Sequence, residues 1–291
     1  MNIVFQVKGG LGKNIAATAV VKGLRRKYPT SKLIVIASSP DVFVNNPYLD
    51  KLISFNQLKG LYENYLKGDN YKLFIQDPYE HPNHFSKQQH IIETWFEMCE
   101  LEYRGEQPEF YPTAAELEYF NKSYSSSPKP ILALHCNGGP QEQNSQYAWT
   151  RDIPYVNVLD IINKYKEDYT IVHIKQPWQS TYEDTIPMMD HFRGIAVLLT
   201  MAKKRLLIDS FAQHLAAALN LPSTVCWGVT SPEVFGYKIH DNIIANPFTK
   251  DPDYSDSIYF DWNLFEPLNK LPYWSLDEIF DSEKIIKSLN K

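Results

Sequence analysis

Short apolar runs rich in β-branched residues alternate with amphipathic stretches along most of the chain. In the first part, strand and helical patterns follow each other at 2–7, 14–28, 32–38, 51–55, 71–76 and 84–101. Strand-length apolar runs separated by segments with helical spacing are typical of parallel α/β units. Residues 1–122 therefore predict one doubly wound α/β domain.

The same alternation starts again after a polar stretch. Residues 123–130 are rich in Ser and Pro, which is typical of a linker. Beyond it, strand and helical patterns lie at 131–136, 156–165, 169–174, 194–204, 205–209, 212–220 and 223–228. Residues 131–274 thus predict a second doubly wound domain, and the pattern at 275–289 predicts a last helix within the terminal segment 275–291.

Length and composition limit the classes of function. A chain of 291 residues that is 44% hydrophobic can bury two cores of ordinary domain size. Its formal net charge of -5 argues against a general binding surface for nucleic acid or another polyanion. The three cysteines, Cys99, Cys136 and Cys226, form no CxxC pair, so neither a disulfide framework nor a zinc site is indicated.

The distribution of apolar residues also bears on location. No apolar run approaches the roughly 18 to 20 residues that span a bilayer. The opening residues have too short an apolar run for a signal peptide, and no small-residue cleavage site follows them at the usual distance. These features predict a cytoplasmic protein without a transmembrane segment.

The stretch "VKGGLGKNIAAT" at 7–18 is close to a phosphate-binding loop. In such a loop the glycines bring backbone N–H groups to phosphate, a lysine reaches the terminal phosphates, and a Ser or Thr hydroxyl binds Mg²⁺. Here Asn14 occupies the position of that hydroxyl, so the magnesium ligand is missing. A P-loop-like ATPase or switch remains an alternative, while Gly10, Gly12, Lys13 and Asn14 predict a phosphate or polar-ligand site at the start of a helix.

The segment 206–237, "LLIDSFAQHLAAALNLPSTVCWGVTSPEVFGY", combines a strand end with a helix start. The strand pattern ends at Asp209, and a helix begins near Ser210, so the N–H groups of Ser210 and Phe211 are free to bind a diphosphate. His214 lies in the first turn of that helix, and Thr230 follows the next strand at the same edge of the sheet. The spacing predicts a site for an anionic ligand.

This segment resembles the donor-binding signature of glycosyltransferase family nine, the heptosyltransferase-like enzymes, which is roughly D-S-G-x-x-H-x-A-A-A-L-x-x-P-x-x-x-x-x-G-x-T-x-P. The positions in register are Asp209, Ser210, His214, Ala216 to Leu219, Pro222, Gly228, Thr230 and Pro232. The opening unit, with its Gly loop, its "YP" and its "NPYLD", and the stretch "AWTRDIPYVNVLDIINKY" are similar to further parts of the family pattern. The resemblance thus extends over most of the chain.

The resemblance implies a GT-B architecture, in which two Rossmann-like domains face each other across a cleft. The second domain would hold a nucleotide-diphosphate sugar and the first domain the acceptor. The implied reaction transfers the sugar to an acceptor hydroxyl by a single displacement with inversion. No metal and no other cofactor is expected, because helix N-termini and basic or hydroxyl side chains neutralise the departing diphosphate.

The acceptor and the partners follow from the same resemblance. A surface glycan or lipopolysaccharide is the acceptor that the family suggests, and a modified DNA base is the other possibility. No obligate protein partner is implied. A catalytically silent protein that only binds a sugar nucleotide remains a further alternative to the enzyme.

Three positions depart from the family pattern. Lys13 stands where heptose-transferring members carry an Asp that serves as the base, and lysine is a poor base because it is cationic at neutral pH. Phe211 replaces a glycine, and Tyr147 replaces a lysine whose charge Arg151 supplies instead. An altered donor or acceptor is the simplest consequence.

The stretch "IQDPYEHPNHF" at 75–85 offers other bases, because it follows a strand of the first domain. Asp77 is the first choice because it is nearest to the strand end, with Glu80 and His84 behind it. Each of these residues is also compatible with a surface loop that has no role. The residues predicted to bind the donor are Ser210, Phe211, His214, Thr230, Lys175, Asn137, Arg151 and Asp209.

Overall fold

Two separate parallel β-sheets organise the protein. The computed structural model describes residues 1–86, 88–124, 128–138, 151–228, 230–249, 275 and 277–291. The first sheet contains four strands and the second contains six among these residues.

The first sheet has the strand order β3-β2-β1-β4, with every pair parallel. Its strands are β1 (Asn2–Val7), β2 (Lys32–Ala37), β3 (Lys51–Ser54) and β4 (Tyr71–Phe74). Its helices are α1 (Leu11–Lys27), α2 (Pro82–Phe85), α3 (Ile91–Met98) and α4 (Ala114–Tyr124). Shorter helical turns lie at Pro40–Phe43, Tyr62–Leu66 and Pro78–Glu80.

Helix α1 is the central packing element of this half. It is rich in alanine, and a continuous run of its residues is buried, because it packs against β1 and β2, against α3 and against a helix of the second half. Gly23 lets α3 approach closely, since a Cβ at this position would lie 2.6 Å from Phe96 Cε1. Trp95 of α3 in turn packs edge-on against Phe5 of β1 at 5.5 Å between ring centroids.

The second sheet has the order β10-β9-β8-β5-β6-β7 and is parallel throughout. Its strands are β5 (Ile131–Leu134), β6 (Thr170–Ile174), β7 (Ile186–Met188), β8 (Lys204–Ile208), β9 (Thr224–Trp227) and β10 (Asp241–Ile244). Its helices are α5 (Tyr155–Tyr165), α6 (Phe192–Met201), α7 (Phe211–Ala218), α8 (Pro232–Phe235) and α9 (Ser282–Leu289), and a 3-10 turn lies at Pro247–Thr249. Counted along the chain, this is the order of a Rossmann sheet, whose switch point lies between β5 and β8.

Most predicted elements are present in the structure, with shifts at their ends. Helix α1 begins at Leu11 instead of residue 14, because Gly10 already takes the extended conformation of an N-cap. The prediction of a helix from residue 275 is wrong for its first part. Helix α9 begins at Ser282 because the side chain of Asp281 accepts hydrogen bonds from the N–H groups of Glu283 and Lys284 and so caps it.

Strands β7 and β10 and helix α4 are absent from the sequence-based prediction. Strand β7 has three residues with Pro187 in the middle, which is tolerated because β7 lies at the edge of the sheet. Helix α4 continues to Tyr124, so it enters the stretch predicted as a linker at 123–130. The domain boundary near residue 122 stays a prediction.

None of the helices in the described ranges is both long enough and apolar enough to cross a membrane.

Arg193 of α6 joins the two halves of the molecule. Its guanidinium donates hydrogen bonds to the Glu116 carboxylate of α4, to the carbonyl oxygen of Asp41 and to that of Tyr111. The same group lies 4.7 Å from the ring centroid of Phe110. The Arg193 hydrogen bond lowers the pKa of Glu116 to about 2.

Replacing Arg193 by Met should lower the free energy of unfolding by about 3 kcal/mol, because Glu116 and two carbonyl oxygens lose their donor in a mostly buried place. Urea unfolding followed by circular dichroism measures this loss. The matched control is Lys122→Met on α4, the helix that carries Glu116, since Lys122 and Glu118 form an exposed i,i+4 pair. Equal losses of stability in the two variants would show that the hydrogen bonds of Arg193 do not stabilise the contact between the two halves.

Candidate active site

A cleft of about 720 Å³ lies where the carboxyl ends of the two sheets face each other. The loops that follow β1 and β4 line one side of it, and the loops that follow β5 and β8 line the other. Ligands of open parallel sheets bind at such ends. The residues that line the cleft are Lys8 to Lys13, Asp77, Tyr79, Arg151, Asp209 to Phe211, His214 and Phe235.

The N-terminus of α1 opens into this cleft. Its N-cap is Gly10, no side chain caps it, and its first turn contains no acidic residue. The first N–H groups of a helix have no partner within the helix and carry a partial positive charge, so this end suits an anion. Gly9 before it has a φ of +101°, a conformation that glycine adopts without strain.

Asn14 stabilises this loop through side-chain hydrogen bonds and does not line the cleft. Its side chain is fully buried and donates to the carbonyl oxygens of Gly9 and Gly10 at 3.1 and 2.9 Å, and to Ser38 Oγ at 2.9 Å. It also accepts a hydrogen bond from the N–H of Ser39 at 3.3 Å. The predicted contact of Asn14 with a ligand is therefore corrected to a structural role.

The N-terminus of α7 opens into the same cleft from the second sheet. Ser210 is its N-cap, no side chain caps it, and its first turn is also free of acidic residues. The two helix ends touch at Gly12, where a Cβ would lie 2.8 Å from His214 Cδ2 and 3.6 Å from Phe211 Cα. Gly12 is thus needed for the close approach of the two halves.

His214 is neutral, and its Nδ1 side contacts the hydroxyl of Tyr237. Its Nδ1 lies 2.7 Å from the hydroxyl oxygen of Tyr237. Burial, followed by the neighbouring His90, His240 and Arg151, lowers the pKa of His214 to about 3. His214 therefore offers an uncharged imidazole to the cleft at neutral pH.

The charged side chains of the cleft form two ion pairs, one on each side of it. Lys13 pairs with Asp77, and Arg151 Nε lies 3.7 Å from Asp209 Oδ2. Lys8 is exposed and makes no ion pair with any residue in the described ranges. Among the described residues, three cations thus face two carboxylates beside the two helix ends.

Asp77 is the carboxylate best placed for chemistry on the side of the first sheet. One of its oxygens accepts from the N–H of Tyr79 at 3.0 Å and so caps the turn Pro78–Glu80. The other oxygen pairs with Lys13, and the side chain keeps 29% of its surface exposed. Lys13 also lies 4.4 Å from the ring centroid of Tyr79, which fixes the ammonium from a second side.

The structure separates Glu80 and His84 from the cleft. Glu80 lines a smaller cavity of about 240 Å³ that shares Lys8, Lys13 and Asp77 with the cleft, but Glu80 itself does not line the cleft. His84 is 3% exposed and stacks on Tyr79 at 4.7 Å between centroids, and burial lowers its pKa to about 4. Because α2 turns His84 inward beneath Tyr79, its predicted place among the bases of the cleft is corrected.

Sequence reasoning missed three aromatic or basic residues of this region. Tyr79 and Phe235 line the cleft, and Lys8 supplies a cation. Tyr79 lies in the stretch 75–85, which was predicted to contain the base, and Lys8 is at the start of the Gly loop. Both residues could therefore have been predicted from the sequence. Tyr237 could not, because its contact with His214 depends on the packing of a loop 23 residues away.

A side pocket of about 160 Å³, lined by Asn137, Lys175, Gln179, Ser210 and Phe211 among others, lies at the ends of β5, β6 and β8. It shares Ser210 and Phe211 with the cleft. The side chain of Phe211 packs against His135 at 5.4 Å between centroids. Four of the predicted donor residues therefore lie together in this pocket: Asn137, Lys175, Ser210 and Phe211.

Lys175 and Asn137 differ in their surroundings. Lys175 is only 7% exposed and forms no ion pair or side-chain hydrogen bond within the described part of the chain. Asn137 Nδ2 donates to Asp152 Oδ2 at 3.2 Å, and the N–H of Gly138 donates to Asp152 Oδ1 at 2.7 Å. A buried cation without a carboxylate favours an anionic or strongly polar ligand.

Thr230 lines neither the cleft nor the side pocket. It is 7% exposed, and its hydroxyl has no hydrogen-bond partner among the described residues. Its predicted contact with a donor stays a prediction. Tyr147 lies outside the described residues, and these contain no cluster of three or more His, Cys, Asp or Glu side chains that could hold a metal ion.

Comparison with known proteins identifies the fold. No family model and no curated protein sequence matches the chain. The glycosyl transferase family 9 structure from Veillonella parvula DSM 2008 is 15% identical, with 99% of this chain and 96% of that chain covered and a TM-score of 0.71. Escherichia coli ADP-heptose LPS heptosyltransferase II is 15% identical, with 100% and 98% covered and a TM-score of 0.65.

The protein has the GT-B fold of these glycosyltransferases. E. coli heptosyltransferase WaaC with ADP is a further match, at 14% identity, 84% and 91% coverage and a TM-score of 0.54. The predicted fold class, two Rossmann-like domains facing across a cleft, is confirmed. At these identities the likeness is one of fold, so the chemistry has to be argued from the residues of the cleft.

Proposed function

We propose that the protein is a glycosyltransferase that transfers a sugar from a nucleotide-diphosphate sugar to an acceptor hydroxyl. One observation carries the proposal: two uncapped helix N-termini and three cationic side chains converge on a single cleft in a GT-B fold. A departing diphosphate carries negative charge that builds up in the transition state. Oriented N–H groups and fixed cations stabilise this charge without rearranging.

The donor would extend from the cleft into the side pocket. The N-terminus of α7 suits the diphosphate, and the side pocket behind Phe211 offers Asn137, Lys175 and Gln179 to the nucleoside. Of the similar structures, WaaC contains ADP, and heptosyltransferase II is named for ADP-heptose. These two ligands support a nucleotide-diphosphate donor for this chain, and we propose no metal ion in its binding.

Asp77 is the proposed base, and Lys13 is its partner. The Asp of the family pattern is replaced by Lys13 here, and the ion pair brings the Asp77 carboxylate to the same corner of the cleft. Asp77 would accept the proton of the acceptor hydroxyl while its oxygen bonds to the anomeric carbon. The bond from that carbon to the diphosphate breaks on the opposite face, which inverts the configuration.

The ATPase alternative is not favoured. Asn14 occupies the position of the magnesium-binding hydroxyl and is fully buried beneath the loop by its own hydrogen bonds. A glycan hydroxyl is the proposed acceptor, and a hydroxymethylated DNA base is the second acceptor to be assayed, although the net charge of -5 weighs against it.

Thermal unfolding with a panel of nucleoside diphosphates tests the proposal. We expect one diphosphate to raise the melting temperature in the presence of EDTA, because a ligand at about 100 times its Kd adds about 2.7 kcal/mol to the stability. Arg151→Ala and Lys175→Met should each weaken this binding about tenfold or more. The exposed Arg104→Ala is the matched control and should leave it unchanged.

Two other results would decide against the proposal. Stabilisation only by ATP together with Mg²⁺ would favour an ATPase. Binding of a nucleotide-diphosphate sugar without transfer to any hydroxyl of a glycan or DNA panel would favour a silent binding protein.

A further inference from the structure

Tyr237 is a buried side chain whose hydroxyl meets His214. It is 4% exposed, and it lies behind the imidazole as seen from the cleft. The hydroxyl oxygen is 2.7 Å from His214 Nδ1. Within the described ranges this is the only hydrogen bond of the Tyr237 hydroxyl, and burial raises the pKa of that hydroxyl well above its usual value, so the group stays protonated.

These contacts determine whether the Tyr237 oxygen or His214 Nδ1 carries the proton of their hydrogen bond. A buried O–H without an acceptor is costly, and Nδ1 is the acceptor that the described residues offer to Tyr237. The Tyr237 O–H therefore donates to Nδ1, which must be unprotonated to accept. Since a neutral imidazole carries one N–H, that N–H is at Nε2.

The Nε2 edge of His214 faces the place where the two helix ends meet. A Cβ on Gly12 would lie 2.8 Å from Cδ2 and 3.2 Å from Nε2 of the ring. Nε2 has no hydrogen-bond partner among the described residues. An N–H at this position therefore adds a donor to the helix N–H groups that open into the cleft.

The loop that carries Tyr237 is fixed on several sides. Gln213 Nε2 donates to the carbonyl oxygen of Phe235 at 3.1 Å, and His240 Nε2 lies 3.0 Å from the carbonyl oxygen of Gln213. The ring of Tyr237 also packs against His90 at 5.3 Å between centroids. Gln213 therefore holds this loop on both sides of Tyr237, and His90 packs against the ring itself.

We propose that Tyr237 is a positioning residue that fixes His214 in the Nε2–H tautomer, so that His214 donates a hydrogen bond to the diphosphate of the donor. The second half of this statement rests on the proposed function, and the first half does not. Tyr237→Phe removes only the hydroxyl oxygen. It frees Nδ1, lets the ring exchange between tautomers and weakens the donor that faces the cleft.

The tautomer is measured by ¹⁵N NMR of protein labelled at histidine. His214→Gln identifies the resonances of His214 among those of the eight histidines. We expect a pyrrole-type Nε2 and a pyridine-type Nδ1 in the unmodified protein, and averaged shifts in Tyr237→Phe. A pyridine-type Nε2 in the unmodified protein would overturn the tautomer assignment.

Nucleoside-diphosphate affinity by calorimetry tests the link to binding. Tyr237→Phe should raise Kd about tenfold, and His214→Gln should bind more tightly than His214→Asn because the glutamine amide can reach the Nε2–H position. Tyr165→Phe is the matched control, since its hydroxyl is also hydrogen-bonded, at 2.9 Å to Asn290, far from the cleft. It should leave both Kd and the His214 shifts unchanged.

A double-mutant comparison separates a positioning role from a general loss of structure. In a His214→Ala background, Tyr237→Phe should have no further effect on Kd. An undiminished effect in that background would overturn the proposal. Failure of the unmodified protein to bind any nucleoside diphosphate would instead overturn the proposed function, while the NMR result would still stand or fall by itself.

Discussion

Asp77→Asn should lower kcat for sugar transfer by about 10² to 10⁴-fold and leave the Kd of the nucleoside diphosphate within about threefold. Asparagine keeps the oxygen that accepts from the N–H of Tyr79, so the turn Pro78–Glu80 should remain capped. What it loses is the carboxylate that takes the proton of the acceptor hydroxyl. Rates at saturating donor and acceptor, together with calorimetric Kd values, measure the two effects separately.

Two further variants test whether Asp77 is the base or only the partner of Lys13. Glu80→Gln should change kcat less than about threefold, because Glu80 is not among the residues that line the cleft. Lys13→Met keeps the carboxylate but removes its ion pair, so it should lower kcat less than Asp77→Asn does. If Glu80→Gln abolished transfer while Asp77→Asn did not, Glu80 would be the base.

The ion pair between Lys13 and Asp77 brings a carboxylate to the cleft although Lys13 stands where the family pattern has an Asp. Lys13 lies at the start of α1, and Asp77 follows β4, so the two are 64 residues apart. The parallel sheet brings their side chains together because β1 and β4 are neighbours and end at the same edge. The carboxylate is then supplied by another strand of the same sheet.

The fold was largely predictable because its strands are buried and their apolar runs are short and distinct. Strands such as β2 and β9 are almost continuously apolar, as expected for parallel strands covered on both faces. The strands that escaped prediction, β7 and β10, lie at the two edges of the second sheet and contain exposed residues. An edge strand lacks the pattern that burial imposes.

The site was predictable where helix starts follow strand ends. Gly12, Lys13, Ser210 and His214 come together in the cleft, since the sequence shows both the glycine turn and the strand-to-helix junction. The direction of a side chain within a loop was not predictable. Asn14 and His84 lie next to cleft residues in sequence, yet both turn into the protein interior.

The free energy of unfolding should fall steeply as the pH is lowered from 6.5 to about 5. Five histidines are less than 7% exposed and have strongly lowered pKa values: His84, His135, His173, His214 and His240. Burial is the first cause in each, and it lowers the pKa to about 4 for His84, His135 and His240 and to about 3 for His173 and His214. Their ordinary value is 6.5.

The direction in which stability changes with pH follows from the number of protons that the folded and unfolded chains bind. Between the folded and the unfolded pKa values the unfolded chain binds more protons than the folded chain, so stability rises with pH in that window. Each buried neutral histidine adds its full contribution to the free energy of unfolding above about pH 6.5. About 2 kcal/mol of that contribution is lost by pH 5. Several such losses act in the same direction, and only about 5 to 15 kcal/mol usually holds a domain together, so we expect a large loss of stability near pH 5.

Urea unfolding at intervals from about pH 7.5 to about pH 3.5 measures this dependence. His135→Gln should flatten the slope, because it removes one group that takes up a proton on unfolding. Glu116→Gln is the matched control for carboxylates. Its folded pKa of about 2 lies below the ordinary 4.5, so its stabilisation is lost only below pH 4.5. A slope that began at pH 4.5, or that Glu116→Gln removed, would contradict the histidine account. If the slope begins at pH 6.5, the buried imidazoles, with His214 of the cleft among them, are held neutral at the expense of acid stability.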